Sequence, residues 1–167
     1  MMESSPFNPR RAVVWIGRLI LAGVFIYAGY SKLALPNIHP RPPIGVALSL
    51  FALQVDSFQM LPPWAVNVVA HTLPFAEIAL GLLLLIGWQL RIWAALTSLI
   101  LLGFFVAVVR SYALGLQINC GCFANPEPLT IKTVIRDGML VALSLVVTIV
   151  SFLSARAPHP WSAPGKA

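Results

Sequence analysis

Long apolar runs alternate with short polar segments along the chain, and this alternation predicts the elements of the fold. Four runs are long enough to cross a bilayer as helices, because about 20 mainly apolar residues span its hydrocarbon core. A fifth apolar run is interrupted near its end by polar residues, which is typical of a helix that lies in the membrane interface or re-enters partway. The predicted spans are approximately 13–32, 65–88, 92–110 and 133–153, with an interfacial segment at 44–61 and a polar loop at 111–132.

These elements indicate an all-α integral membrane protein, a four-transmembrane-helix bundle with an extra interfacial or re-entrant helix between spans 1 and 2. The first run is longer than the core of a signal peptide and no typical cleavage site follows it, so we expect it to be a retained span. No repeat or composition change divides the chain, and we therefore expect residues 1–167 to form a single membrane domain.

Composition supports the membrane class. Of the 167 residues, 59% are hydrophobic and only 10% are charged, and the mean hydropathy is +0.87. A soluble domain has about 25% charged residues, and a disordered chain has low hydrophobicity. The composition therefore excludes both a soluble globular domain and a disordered chain.

The net charge of +6 raises the question of nucleic acid binding. The basic residues are scattered singly between apolar runs, with no cluster beyond Arg10–Arg11, so the chain lacks a stripe of charge that could follow phosphates. Basic residues at the ends of membrane spans account for the same charge, and we expect no nucleic acid partner.

The orientation of the chain in the membrane is predicted from the basic residues at the ends of the spans. Basic residues divide evenly between the two sides, so their count alone does not orient the chain. The Arg10–Arg11 pair precedes the first span, which usually dominates insertion. We therefore expect both termini to be cytoplasmic and the 111–132 loop to be periplasmic, in a bacterial inner membrane.

The strongest candidate for chemistry is Cys120-Gly121-Cys122, which contains the only two cysteines. Cysteines two positions apart can join only if the backbone bends, and Gly121 permits such a bend. A disulfide in so small a ring is strained, and strained, exposed disulfides are the more oxidising ones. The spacing therefore suits electron exchange with another thiol.

Two alternatives to a redox pair remain open. The cysteines can form a static clip or stay as free thiols, or they can supply half of a soft-metal site that a partner completes. Two thiolates fall short of the four ligands of a usual zinc site, and no histidine follows at a suitable spacing. We assign no metal site to the chain alone.

Charges inside the predicted spans give a second candidate site. A carboxylate such as Glu77 in the second span is costly unless it is paired or faces a polar cavity. Lys32 and Arg110 end the first and third spans on the same side, and both are candidate partners. A nearby Lys or Arg also favours the reactive thiolate form of a cysteine. The alternative is that Glu77 and a cation simply hold helices together.

Two further polar residues receive structural interpretations. Arg18 is only about five residues into its span, and we expect its side chain to reach the nearby membrane surface. His71 and Glu77 are not on one helix face, so we expect His71 to be a satisfied interfacial histidine.

Several motifs together resemble a known family. They are Tyr27-Ala-Gly-Tyr-Ser-Lys32-Leu33 at the end of span 1, Pro74-x-x-Glu77-x-x-x-Gly81 in span 2, Arg91 at the start of span 3, and Cys120-Gly-Cys-Phe123 after it. This pattern resembles the DoxX-like superfamily, and most closely the methylamine-utilisation MauE family, whose hallmark is similar to C-G-C-F-G. Ala124 replaces the last glycine of that hallmark.

The resemblance implies a bacterial inner-membrane protein that supports maturation of a periplasmic disulfide-containing enzyme. It implies a membrane-anchored thioredoxin-like partner, the client enzyme and the lipid bilayer as partners. Relatives in the wider superfamily suggest quinone as an electron exchanger, and quinone is the only cofactor that the resemblance suggests.

Three hypotheses follow. In the first, Cys120 and Cys122 form a reversible thiol–disulfide pair, and Lys32, Glu77 and Arg110 tune it or border a quinone pocket. In the second, the protein is a non-catalytic assembly or transport subunit with a static disulfide. In the third, it is a quinone-linked oxidoreductase subunit in which the cysteines are incidental.

Overall fold

The computed structural model describes residues 9–36, 38–119 and 128–156, and these form five α-helices. Cys120 and Cys122 lie outside the described residues. The helices are α1 Pro9–Ala34, α2 Ile44–Asp56, α3 Pro63–Ile86, α4 Leu90–Ala113 and α5 Ile131–Arg156.

Four of these helices, α1, α3, α4 and α5, are long and apolar enough to cross a membrane. The 13-residue α2 is apolar but too short to span. The predicted fold class, a four-span helical membrane protein with an additional helix between spans 1 and 2, is confirmed. Large apolar side chains such as Leu99 and Met139 are exposed on the bundle surface, where they face lipid.

Two antiparallel helix pairs build the bundle. α1 packs along α3, and α4 packs along α5, with α1 also contacting α5 and α4 contacting α3. Ser98 and Thr148 join the second pair through a hydrogen bond of 2.9 Å between their hydroxyl oxygens. α2 lies against α1 and α3, burying Ala47, Leu48 and Phe51.

The α1–α3 contact is unusually close because glycines lie in it. A Cβ atom added to Gly29 would lie 2.5 Å from the backbone oxygen of Pro74, and one added to Gly81 would lie 3.0 Å from that of Ala22. Small residues allow helix backbones to approach in membranes, where no hydrophobic effect drives helices together. These two glycines therefore set the separation of α1 and α3.

Two ends of the bundle can be distinguished by their connections. One end carries α2 together with the α4–α5 connection, and we call it the α2 end. The opposite end carries the tight turn between α3 and α4, where Gly87 ends α3 in the left-handed conformation with φ +76°, and we call it the turn end.

Candidate functional site

A buried ion pair joins α1 to α3. The Lys32 Nζ donates hydrogen bonds to both carboxylate oxygens of Glu77, at 2.8 Å and 2.7 Å. The same ammonium lies 3.4 Å from the backbone oxygen of Ala28. Lys32 is only 6% exposed and Glu77 only 9% exposed. Each charge therefore depends on the other for its stabilisation, since burial removes most of the water around both.

The path of α3 explains how deep the pair lies. Pro74 lacks a backbone N–H, so proline is more common in the first turn of a helix than in its interior. The structure instead contains Pro74 inside α3, which begins at Pro63. Glu77 thus lies about four turns from the start of the helix and about two and a half turns from its end.

α2 covers the pair on one side. The Lys32 ammonium lies 5.4 Å from the centroid of the Phe51 ring, a distance at which a cation is attracted to an aromatic face. Phe51 is itself buried. The helix between spans 1 and 2 therefore contributes to the site, a role that its short apolar sequence did not reveal.

An apolar cavity of about 350 Å³ opens beside the pair. All five helices contribute to its lining, and its polar contributors are Lys32, Glu77, Gln54 and Asp137. Four phenylalanines form much of the wall: Phe25, Phe51, Phe58 and Phe104. This volume and a largely apolar wall with a few convergent polar groups are typical of small-molecule sites.

Asp137 lines the cavity beside the ion pair, although the sequence did not indicate it as a site residue. It is 5% exposed, and its carboxylate accepts a hydrogen bond of 3.1 Å from the Nε of Arg136. In the sequence it is one of several acids near the ends of spans, and only the packing of α5 turns it toward the cavity. The sequence feature that could have indicated Asp137 is a second carboxylate within a predicted span, which is costly there without a function or a partner.

The base of the cysteine loop packs near this cavity. Asn119 and Pro128 form an isolated antiparallel bridge, and Leu129 donates a backbone hydrogen bond of 2.9 Å to Ile118. Ile118 and Leu129 pack on a buried cluster around Phe58 and Val108. The residues that flank the segment 120–127, which carries both cysteines, are therefore held together at the α2 end.

Arg110 is separate from the ion pair. Its side chain is exposed, and it donates a hydrogen bond of 3.4 Å to the backbone oxygen of Phe58. Of the two candidate partners for Glu77, Lys32 is therefore the one that binds it, and Arg110 is not among the residues lining the cavity. Arg110 instead holds the connection between α2 and α3, whose Phe58 ring forms part of the cavity wall.

The structure agrees with the prediction for His71 and differs in part from the prediction for Arg18. His71 is exposed and its Nδ1 lies 2.8 Å from the backbone oxygen of Asn67, as expected for a satisfied histidine. Arg18 does extend toward the turn end, but it is only 8% exposed. Protein packing encloses it, because its guanidinium reaches the backbone oxygen of Leu85 rather than open solvent.

Four spans around a buried ion pair and an apolar cavity define a multi-pass α-helical membrane protein with a charged site inside its membrane domain. The model of the methylamine utilisation protein MauE family matches residues 10–150, and the chain belongs to this family.

Two relatives are both described as methylamine utilization protein MauE. The protein from Paracoccus denitrificans is 34% identical over 139 residues, covering 81% of this chain and 68% of the relative. The protein from Paracoccus versutus is 34% identical over 134 residues, covering 78% of this chain and 66% of the relative. The chain thus spans about two thirds of the length of these relatives. No solved structure matches it. The predicted membership of the MauE family is confirmed, while the link to the wider DoxX-like superfamily stays a prediction.

Proposed function

We propose that this protein acts in methylamine utilisation as an inner-membrane component of thiol–disulfide exchange, supporting maturation of a periplasmic disulfide-containing enzyme. The proposal rests on one observation above all: the chain's only two cysteines lie in an eight-residue segment whose two ends meet at the Asn119–Pro128 bridge. The bridge joins the residues on either side of this segment at the α2 end of the bundle. In this proposal both termini are cytoplasmic and the cysteine loop is periplasmic.

The exchange conserves electrons and protons. The thiolate of one cysteine attacks a disulfide of a membrane-anchored thioredoxin-like partner, forming a mixed disulfide and releasing a partner thiolate. The second cysteine then attacks the mixed disulfide, so Cys120–Cys122 becomes oxidised and the partner becomes a dithiol. Two electrons and two protons pass to the partner, and the reverse sequence oxidises it.

Trapping of thiols in cells tests this proposal. We expect acid quenching and alkylation to reveal both a dithiol and a disulfide form of Cys120–Cys122, with a ratio that responds to oxidants. Cys122→Ser should accumulate a mixed disulfide between Cys120 and a partner protein, and Cys120→Ser should change the oxidation state of the client enzyme. A single fixed redox state, with an unchanged client in Cys120→Ser, would favour the static assembly or transport subunit instead.

The cavity favours a second candidate function, that of a quinone-linked oxidoreductase subunit. A quinone has an apolar ring and tail with polar carbonyl oxygens, and the cavity combines an apolar wall with the ammonium of Lys32 and the carboxylate of Glu77. Arg110 then acts indirectly, by holding Phe58 in the wall.

Quinone extraction distinguishes the two candidates. If the cavity binds quinone, purified protein should contain it, and Phe104→Trp, which fills the cavity, should lose it. An oxidoreductase activity that survives Cys120→Ser/Cys122→Ser would favour the quinone-linked subunit over the thiol relay. Protein without quinone, with an unchanged redox response of the cysteines, would favour the relay through protein thiols alone.

A further inference from the structure

A second cavity lies at the turn end of the bundle, away from the ion pair and from the Asn119–Pro128 bridge. It is open and measures about 840 Å³. Its lining combines Trp15 and Arg18 of α1, Gln89 and Arg91 at the start of α4, and Ser151 of α5. Three spans and the α3–α4 turn therefore meet around it.

Arg18 has a buried charge that the described part of the chain does not neutralise. It is 8% exposed, lies 4.0 Å from the centroid of the Trp15 ring, and donates a hydrogen bond of 3.3 Å to the backbone oxygen of Leu85. Its Nε has no hydrogen-bond partner within the described part of the chain. Among the described residues, carboxylates pair with Lys32 and Arg136 but not with Arg18. A buried guanidinium without a counter-ion is costly, and an anion in the adjoining cavity would offset that cost.

Arg91 adds a second positive charge to the same cavity. The described residues that line it include two arginines and no acidic side chain. The beginning of α4 at Leu90 also lines the cavity, and the dipole makes the N-terminus of a helix electrostatically positive. Two arginines around one cavity repel each other unless an anion lies between them.

We propose that this cavity binds the phosphate of an anionic phospholipid. The site lies at the level of a membrane–water interface, because Trp15 and the neighbouring Trp88 are exposed there and tryptophan favours that depth. Apolar Val14, Ile92 and Phe152 line the same cavity and can contact acyl chains. Basic pockets between transmembrane helices bind anionic headgroups in this way. A zwitterionic headgroup fits less well, because its ammonium would meet two arginines.

Lipid retention by the purified full-length protein tests the proposal. The protein is reconstituted with phosphatidylglycerol or with phosphatidylcholine of the same acyl chains, and bound lipid is counted by native mass spectrometry. We expect wild type to retain phosphatidylglycerol in preference to phosphatidylcholine. Arg91→Gln, which changes an exposed side chain and leaves Arg18 intact, should lower retention of phosphatidylglycerol about fivefold, as expected for the loss of one basic residue near an anionic surface.

Arg41→Gln is the matched control, since Arg41 is exposed at the α2 end and should not affect retention. Inorganic phosphate separates the two sources of the anion: millimolar phosphate should not displace bound phosphatidylglycerol, because it lacks the acyl chains. Equal retention of both lipids, equal behaviour of Arg91→Gln and Arg41→Gln, or displacement by free phosphate would each overturn the proposal. None of these results depends on the cysteines, so the proposed function is tested separately.

Discussion

Lys32 and Glu77 form a buried ion pair inside the membrane domain. The two side chains join α1 to α3 inside the membrane domain and also line the apolar cavity. The sequence indicated that Glu77 needs a partner and offered Lys32 and Arg110, but it could not choose between them. The choice depends on helix packing, because the Gly29 contact brings the end of α1 beside the middle of α3.

Removing the pair one charge at a time tests its structural role. We expect Lys32→Met and Glu77→Met each to lower the free energy of unfolding by about 3–5 kcal/mol, because each removes one partner of a buried ion pair. The double variant should be more stable than either single variant, since it removes both charges. The free energies of unfolding of the wild type, the two single variants and the double variant are measured by denaturant unfolding in detergent. Lys132→Met, at an exposed position, should change stability by less than about 0.5 kcal/mol. Simple additivity of the two single effects would contradict a coupled pair.

The same double variant separates structure from function. If the pair only holds helices together, Lys32→Met/Glu77→Met should fold and keep the redox response of Cys120–Cys122. If the pair borders a quinone pocket or tunes the thiols, the double variant should fold but lose that response. Alkylation trapping at matched expression levels is the measurement.

At the scale of the elements, glycine spacing decides which helices approach closely. Gly29 and Gly81 lie in the α1–α3 contact, whereas no atom of a neighbouring described residue lies within 4 Å of a Cβ added to Gly23, also on α1. The sequence predicted the helices well because each long apolar run has a clear beginning and end. It did not predict that α2 would cover the ion pair, because its 13 residues look equally suited to the membrane interface.

Gly29→Ala tests the close approach of α1 and α3. Its added methyl group meets the backbone of Pro74 and the side chain of Ile78, and backbone cannot move aside as a flexible side chain can. We expect a loss of about 1–3 kcal/mol in the free energy of unfolding, as for other overpacked sites. Gly23→Ala is the matched control and should leave stability unchanged or slightly raised, because alanine favours the helix. Equal effects of the two substitutions would argue against glycine-determined packing.

On the scale of the whole molecule, the two ends of the bundle differ in their chemistry. The α2 end carries Arg110 and the Asn119–Pro128 bridge, while the turn end combines Arg18, Arg91 and two exposed tryptophans. The proposed orientation places the turn end in the cytoplasm, and the even division of basic residues between the two sides does not decide it.

Labelling from outside the cell tests this orientation. We expect a membrane-impermeant maleimide applied to spheroplasts after mild reduction to label Cys120 and Cys122. In a Cys120→Ser/Cys122→Ser background, Trp88→Cys at the α3–α4 turn should stay unlabelled until the membrane is permeabilised, because it lies at the opposite end. The reverse pattern would place the cysteine loop in the cytoplasm and remove the basis for periplasmic exchange.

The sequence by itself determined the membrane class, the four spans and the shorter helix, because hydrophobic length and periodicity are local properties of the chain. It also identified Glu77 and Lys32, since charges within apolar runs are conspicuous and costly. Only the tertiary structure decided that Lys32 is the partner of Glu77, that Asp137 and Phe51 join the site, and that Arg18 is enclosed at the turn end. These contacts depend on which faces of the helices pack together and on how far along each helix they meet. Residues far apart in the sequence make these contacts, so a local sequence pattern does not predict them.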